Sequence, residues 1–239
     1  METQINALGQ HTGVDLDNWQ PCAYPGSDPM MGRYCRLVAL CPETHAQQLF
    51  EAFSDDTEQR NWTYLPYGPF DTLKSFKGWL VESSQSRDPL FYTIIDQCSD
   101  QAVGLASYLR IEPAVGAIEV GHIHFSPRLQ KTPLATEAMY LMMQHAFSEL
   151  GYRRYEWKCD ACNQGSRNAA QRLGFQFEGI FRQATIYKGR NRDTAWFSII
   201  DKEWPTLQVM FERWLDESNF DNTGQQINSL LTCFREIAA

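Results

Sequence analysis

The chain has 239 residues, 43% hydrophobic and 21% charged, the make-up of a globular protein with one large domain or one domain and an appendage. Its formal net charge of −8 argues against a dominant contact with nucleic acid or anionic lipid, and suits a cationic amine as partner. Seven cysteines, an odd number scattered along the chain, point to a reducing compartment. Residues 1–19 show no basic and apolar leader, and no apolar run approaches a membrane span. The expected location is therefore cytoplasmic, with no membrane and no nucleic acid among the partners.

In chain order, residues 1–32 read as an arm punctuated by glycine and proline, with Trp19 and Tyr24 available to tack it onto the body. Residues 33–40 alternate like a first strand, and 42–53 place Ala46, Leu49, Phe50 and Phe53 on one helical face. The stretch 61–70 carries Trp62, Tyr64, Tyr67 and Phe70 among prolines and glycine, too irregular for an element yet rich in apolar surface. A helix over 76–82, strands over 90–96 and 102–110, and a hairpin turn at 114–116 follow.

The next strand, 118–125, stops at Ser126-Pro127, and a polar loop of residues 128–132 leads to Pro133, a good first-turn residue. The helix after it repeats Ala135, Met139, Met142, Ala146 and Leu150 at close to the 3.6 period, and Gly151 is a natural stop. Tyr155, Trp157 and Cys159 then alternate along a strand. Asn163 and Ser166 can cap a helix over 167–173, closed by Gly174. Residues 194–201 read as the last strand, and Pro205 as the end of the core. Helical periods over 207–215 and 227–237, separated by a polar link, suit either a cover for the sheet's edge or a dimer contact.

The loop before Pro133 has a defined chemistry. A helix N-terminus offers free N–H groups and the positive end of a dipole to an anion, and Arg128 and Lys131 add charge there. The stretch Gln130, Lys131, Thr132, Pro133, Leu134, Ala135 resembles the pyrophosphate loop of the GNAT superfamily of acetyl-CoA-dependent N-acetyltransferases. Asn163 and Ser166, then Ala169, Ala170, Arg172, Gly174 and Phe175, then Glu178, Gly179 and Arg182 resemble in particular its ribosomal-protein N-terminal acetyltransferase branch. The resemblance runs over residues 33–204. Pro133 stands where the family has glycine and removes one N–H from the cradle.

The resemblance implies a mixed α/β fold: a mostly antiparallel twisted sheet with a splayed parallel pair, the strands of Glu119 and Tyr155, and flanking helices. It divides the chain into an arm (1–32), the acetyltransferase domain (33–204) and a C-terminal helical extension (205–239). It implies acetyl-CoA as cofactor, held by Phe125, the loop residues Gln130, Lys131, Thr132, Pro133, Leu134, Ala135 and Thr136, and Asn163, Ser166, Ala170 and Arg172. Trp62, Tyr64, Tyr67, His122 and Thr185 would border the acceptor, a small-molecule amine or a protein N-terminus. The protein itself would be a monomer or homodimer.

Acetyl transfer to an amine needs a neutral amine, a donor for the oxyanion and a proton for the departing thiolate. Glu119 is the first candidate base; a salt-bridged strand carboxylate is the alternative. Regular alternation would place it opposite His122 and His124, second candidates that packing explains as well. Ser166 is the candidate acid, with helix capping as its other role. A backbone N–H near His124 or Phe125 would serve the oxyanion. The resemblance expects a carboxylate at Thr185, which threonine does not supply. Pro133 and Thr185 also suit a non-catalytic acyl-CoA-binding or interaction module. The 61–70 segment is either a recognition loop or a packed one. Arg190, Arg192 and Asp193 resemble a turn beside the substrate mouth, or are a solvated charged turn. Cys159 and Cys162 have no second pair at ligand spacing, so no metal is expected.

Overall fold

The computed structural model describes residues 2–237, with side chains described through Cys233. The arm opens with a small hairpin, β1 (Thr3–Ile5) and β2 (His11–Gly13), then delivers β3 (Met30–Met31) to the main sheet. Trp19 Nε1 donates to the Ala114 carbonyl at 2.8 Å and the Tyr24 hydroxyl to that of Arg87 at 2.7 Å. The chain continues as β4 (Cys35–Ala39), α1 (Pro42–Ser54), a single 3-10 turn (Arg60–Trp62), α2 (Leu73–Ser84), β5 (Leu90–Asp96), β6 (Ala102–Glu112) and β7 (Ala117–Phe125). Then come α3 (Pro133–Gln144), β8 (Arg154–Asp160), α4 (Gln164–Arg172), β9 (Gln176–Tyr187), β10 (Arg190–Ile200), α5 (Trp204–Leu215) and α6 (Leu230–Ile237).

The eight-stranded sheet has the order β3-β4-β5-β6-β7-β8-β10-β9, and only the β7–β8 pair is parallel. A parallel pair needs a crossover, and α3 supplies it. One face of the sheet buries Tyr92, Tyr108, Ile118, Val120, Tyr155 and Phe197 against α3 and α5. The other buries Phe91, Ile95 and Leu105 under α1 and α2, with Leu49, Phe76 and Leu80 at 0–1% exposure. Each such side chain stabilises the fold by about 1.5–3 kcal/mol.

Helix α3 is buried along Thr136–Met143 and carries a carboxylate into the core. Glu137 accepts the backbone N–H groups of Arg33, Tyr34 and Cys35, each at 2.7 Å, which ties the helix to the turn before β4. The helix continues into a π-helical turn (His145–Glu149) before Gly151, at φ +76°, ends it.

Three sequence expectations need correction. Strand β9 was not foreseen: it is a solvent-exposed edge strand over nearly its whole length, so no apolar alternation marks it. Pro205 opens α5 rather than closing the core, because proline fits a helix's first turn. Strand β7 does not alternate to its end. Its register against β6 slips between Gly121 and His124, and His122 takes a left-handed φ of +50°. This bulge turns His122 and His124 onto the face that carries Glu119, not the opposite one. There His122 meets Tyr67 and Phe91, and His124 meets Phe53 and Trp62.

Candidate active site

The β7–β8 ladder runs from Ala117–Arg154 to Val120–Trp157 and stops. Beyond it the strands part, and the backbone of β7 faces a gap instead of a partner. Two cavities approach this gap. One, about 1000 Å³, runs between the starts of α3 and α4; the other, about 760 Å³, is framed by the 61–70 loop and strands β8, β9 and β10. Asn61, Tyr64, Ile123, Trp157, Asn163 and Ser166 line both, so the cavities meet at the splay.

The larger cavity follows from the start of α3. Thr132 caps the helix, its Oγ1 accepting from the Ala135 N–H at 3.3 Å, and Pro133 takes the first helical position. Lys131 is left-handed at φ +61°. Among the described residues the amides of Lys131 and Thr132 have no hydrogen-bond partner, and both residues line the cavity. The donors that remain, with the Lys131 ammonium, fit an anionic group despite Pro133. Phe125, Gln130, Ala135, Thr136 and Arg172 line the same wall. Gln130 turns its amide back onto the Phe125 carbonyl (2.8 Å) and Asn61 Oδ1 (3.1 Å). Arg172 donates to Thr136 Oγ1 at 3.1 Å and lies 5.2 Å from the Trp214 ring centroid.

Some expected residues lie elsewhere. Ala170 is wholly buried and Leu134 packs against the core, so neither lines the cavity. Arg128 is paired with Asp55, Nε to Oδ2 at 2.6 Å. The C-terminal extension supplies lining that the motifs did not signal: Trp214, Phe220 and the 224–226 segment, with Trp214 Nε1 donating to Gln226 Oε1 at 2.9 Å.

At the junction, Asn163 Oδ1 accepts the Ser166 N–H at 3.0 Å, so Asn163 caps α4. The Ser166 hydroxyl is not a cap. It accepts from Trp157 Nε1 at 2.9 Å, which leaves its own proton to be donated elsewhere.

The second cavity has a charged floor. Alternation on β8 sends Tyr155, Trp157 and Cys159 into the core and Glu156, Lys158 and Asp160 into this cavity. Glu119, 3% exposed, contacts Arg110 Nη1 at 2.7 Å and Lys158 Nζ at 2.9 Å, both through Oε2. Lys158 also contacts Glu156 at 2.6 Å and lies 3.9 Å from the Trp196 ring centroid. Burial raises the Glu119 carboxyl's pKa against the opposing pull of Lys158 and Arg110. His122 is pushed down to about 4, by burial first and then by Arg110 and Arg192, and its Nδ1 lies 3.2 Å from the Tyr67 hydroxyl. It is therefore neutral at neutral pH. His124 is pushed down to about 3 by burial, and neither ring nitrogen has a partner among the described residues.

The aromatic loop is largely a packed one. Trp62 and Tyr67 sit in the second core with Phe70 and Trp79 and do not line the cavity. Tyr64 does, its hydroxyl donating to the Cys162 carbonyl at 3.2 Å. Thr185 lines it as well. Asp160 was missed by sequence reading, since nothing local distinguishes a strand-end aspartate. It accepts the Tyr187 hydroxyl at 2.9 Å and the Cys162 N–H at 2.8 Å inside the cavity. Cys159 is buried and Cys162 exposed, and among the described residues no group of three or more His, Cys, Asp or Glu gathers as a metal site would. No described helix is long and apolar enough to cross a membrane.

Comparison with known proteins agrees with this geometry. A family model described as an acetyltransferase (GNAT) domain matches residues 35–176. The ribosomal-protein-serine acetyltransferase of Escherichia coli (strain K12) is 24% identical over 166 residues, covering 67% of this chain and 90% of the relative. The uncharacterized N-acetyltransferase p20 of Bacillus licheniformis is 28% identical over 159 residues, covering 66% and 89%. A GCN5-related N-acetyltransferase from Brucella melitensis superposes with a TM-score of 0.90 at 46% identity, covering 92% of this chain and 100% of that one. The Microcin C7 self immunity acetyltransferase MccE, solved in complex with acetyl-CoA and AMP, shares the fold at a TM-score of 0.62 and 19% identity, covering 71% and 93%.

Proposed function

The chain belongs to the GNAT family of acetyltransferases, whose donor is acetyl-CoA, and on that premise we propose that it acetylates a primary amine by direct attack in a ternary complex. The observation that carries this reading is the meeting of two cavities at the β7–β8 splay. Donor and acceptor can then occupy separate spaces and react at a shared wall. Acetyl-CoA enters along the start of α3, its phosphates toward Lys131, Thr132 and Arg172 and its thioester toward Asn163 and Ser166. The amine enters from the cavity floored by Glu119.

The amine must arrive neutral, and an α-amine, with an ordinary pKa near 7.7–8.0, gives up its proton more readily than a lysine. Glu119 accepts that proton; a raised carboxyl pKa suits it to the task near neutrality. Nitrogen attacks the thioester carbon, and the oxyanion is met by a backbone N–H on the stretch of β7 past Val120, where the β8 ladder has ended. Collapse breaks the carbon–sulfur bond as the nitrogen, cationic after attack, gives its second proton to solvent, and the Ser166 hydroxyl protonates the leaving thiolate. The acetamide and free CoA leave, and solvent returns the serine's proton. No residue needs to become acetylated.

Thr185 separates this site from the carboxylate-bearing pattern of its resemblance, so the acceptor class extends to small amines as well as protein N-termini. The test is amine-dependent release of CoA thiol over a panel of both. Turnover should fall by about a hundredfold in Ser166→Ala and in Glu119→Gln. A wild-type protein that binds acetyl-CoA yet acetylates nothing on the panel would be a non-catalytic acyl-CoA-binding module instead.

A further inference from the structure

We propose that the acceptor of this reaction carries an anionic group, a carboxylate or a phosphate, and that Arg192 holds it. The inference rests on the acetyl-transfer reading above and names its substrate class. The other cations lining the acceptor cavity are already neutralised: Arg110 by Glu119, and Lys158 by Glu119 and Glu156. Arg192 is not. Among the described residues its guanidinium has no carboxylate within ion-pair distance. Nε donates to Thr194 Oγ1 at 3.2 Å, and the guanidinium carbon lies 5.9 Å from the Tyr187 ring centroid.

The carboxylates nearby in sequence or in the ladder are hydrogen-bonded to other groups, and none is within ion-pair distance of Arg192. Asp160, paired across the sheet with Thr194, takes the Tyr187 hydroxyl and the Cys162 amide. Asp193 takes the Gln183 amide at 2.7 Å and Asn191 Nδ2 at 3.0 Å. Two further cations stand at the same hairpin tip, each bonded only to a neutral carbonyl. Lys188 Nζ donates to the Trp62 oxygen at 2.8 Å and Arg190 Nη2 to the Thr63 oxygen at 2.7 Å. A protein of net charge −8 thus gathers three cations at one hairpin, none with an ion-pair partner among the described residues, and Arg192 is the one that lines the cavity. A half-buried guanidinium with an unfilled fork is costly alone and matches a planar carboxylate or a phosphate bidentately. The bulk charge had suggested a cationic partner; the one guanidinium of this cavity that has no carboxylate among the described residues points to an anionic one.

The experiment titrates wild-type protein saturated with CoA against two matched pairs, O-phosphoethanolamine with ethanolamine and phenylalanine with phenylalaninamide. The anionic member of at least one pair should bind about tenfold more tightly. Arg192→Gln should erase that preference and Arg192→Lys should keep part of it. The pair that discriminates more strongly tells phosphate from carboxylate. Equal or weaker binding of both anionic members, no binding of either at millimolar concentration, or a preference that survives in Arg192→Gln overturns the proposal. Because binding is read without turnover, tight anionic binding with no acetylation would sink the acetyl-transfer reading while leaving the subsite standing.

Discussion

Two histidines, His124 buried and His122 half-buried, set the residue-scale energetics of the site. His124 stacks on Phe53 with ring centroids 3.8 Å apart and 5° between planes, yet both nitrogens lack partners. A buried polar atom without a hydrogen bond is destabilising, whereas an apolar ring of similar shape loses nothing there. His124→Phe should therefore melt at the same temperature as wild type or higher; a marked drop would show that the imidazole has an unseen partner. The ordinary histidine pKa is 6.5, and burial lowers His122 to about 4 and His124 to about 3. Both are depressed in the fold, so their contribution to stability is complete above pH 6.5 and drains away as pH falls through these folded values. Urea midpoints at pH 7.5 and 4.5 should differ less for His124→Phe than for wild type. At α4 the roles of neighbours separate: Asn163→Ala should cost about 1 kcal/mol as a lost cap and leave turnover largely intact, while Ser166→Ala, which takes the acceptor from Trp157 Nε1, should cost about 1 kcal/mol and in addition strike turnover.

Among the elements, α3 is held by a charge as well as by its apolar face. Glu137 is 4% exposed and accepts three backbone N–H groups, so Glu137→Ala should destabilise the protein by about 3 kcal/mol or more, read as a lower denaturant midpoint. Little loss would mean that water can replace the carboxylate. The run from β7 through α4 was legible in the sequence because its devices are local: Pro133 at a helix start, Gly151 and Gly174 at helix ends, and Asn163 as a cap. What was hidden depends on partners distant in sequence. Strand β9 borrows its order from β10 and keeps both faces wet, so it prints no period. The β7 bulge exists only against β6, and it is what puts both histidines on the Glu119 face. Trp62 and Tyr67 were visible as aromatic mass, but only the packed helices show that they build a wall and do not touch the cavity. The groove's far end was hidden for the same reason, since Trp214 and Phe220 reach it from beyond the motifs.

At the scale of the whole molecule, the proposed chemistry depends on the sheet being opened where the β7–β8 ladder ends. The two cores clamp the strands on either side of the β7–β8 splay, and the cavities reach it from the α3–α4 side and from the β9–β10 side. On the proposed assignment of the two cavities, this division makes donor and acceptor binding separable by mutation. Ala135 lines only the larger cavity and Thr185 only the smaller. The most direct measurement is a calorimetric isotherm of acetyl-CoA binding to wild type, Ala135→Trp and Thr185→Trp, all checked for unchanged melting. Saturable binding to wild type and to Thr185→Trp, with binding lost in Ala135→Trp, is the outcome expected if the donor lies along α3. Loss in Thr185→Trp with retention in Ala135→Trp would contradict it and reverse the assignment of the two cavities.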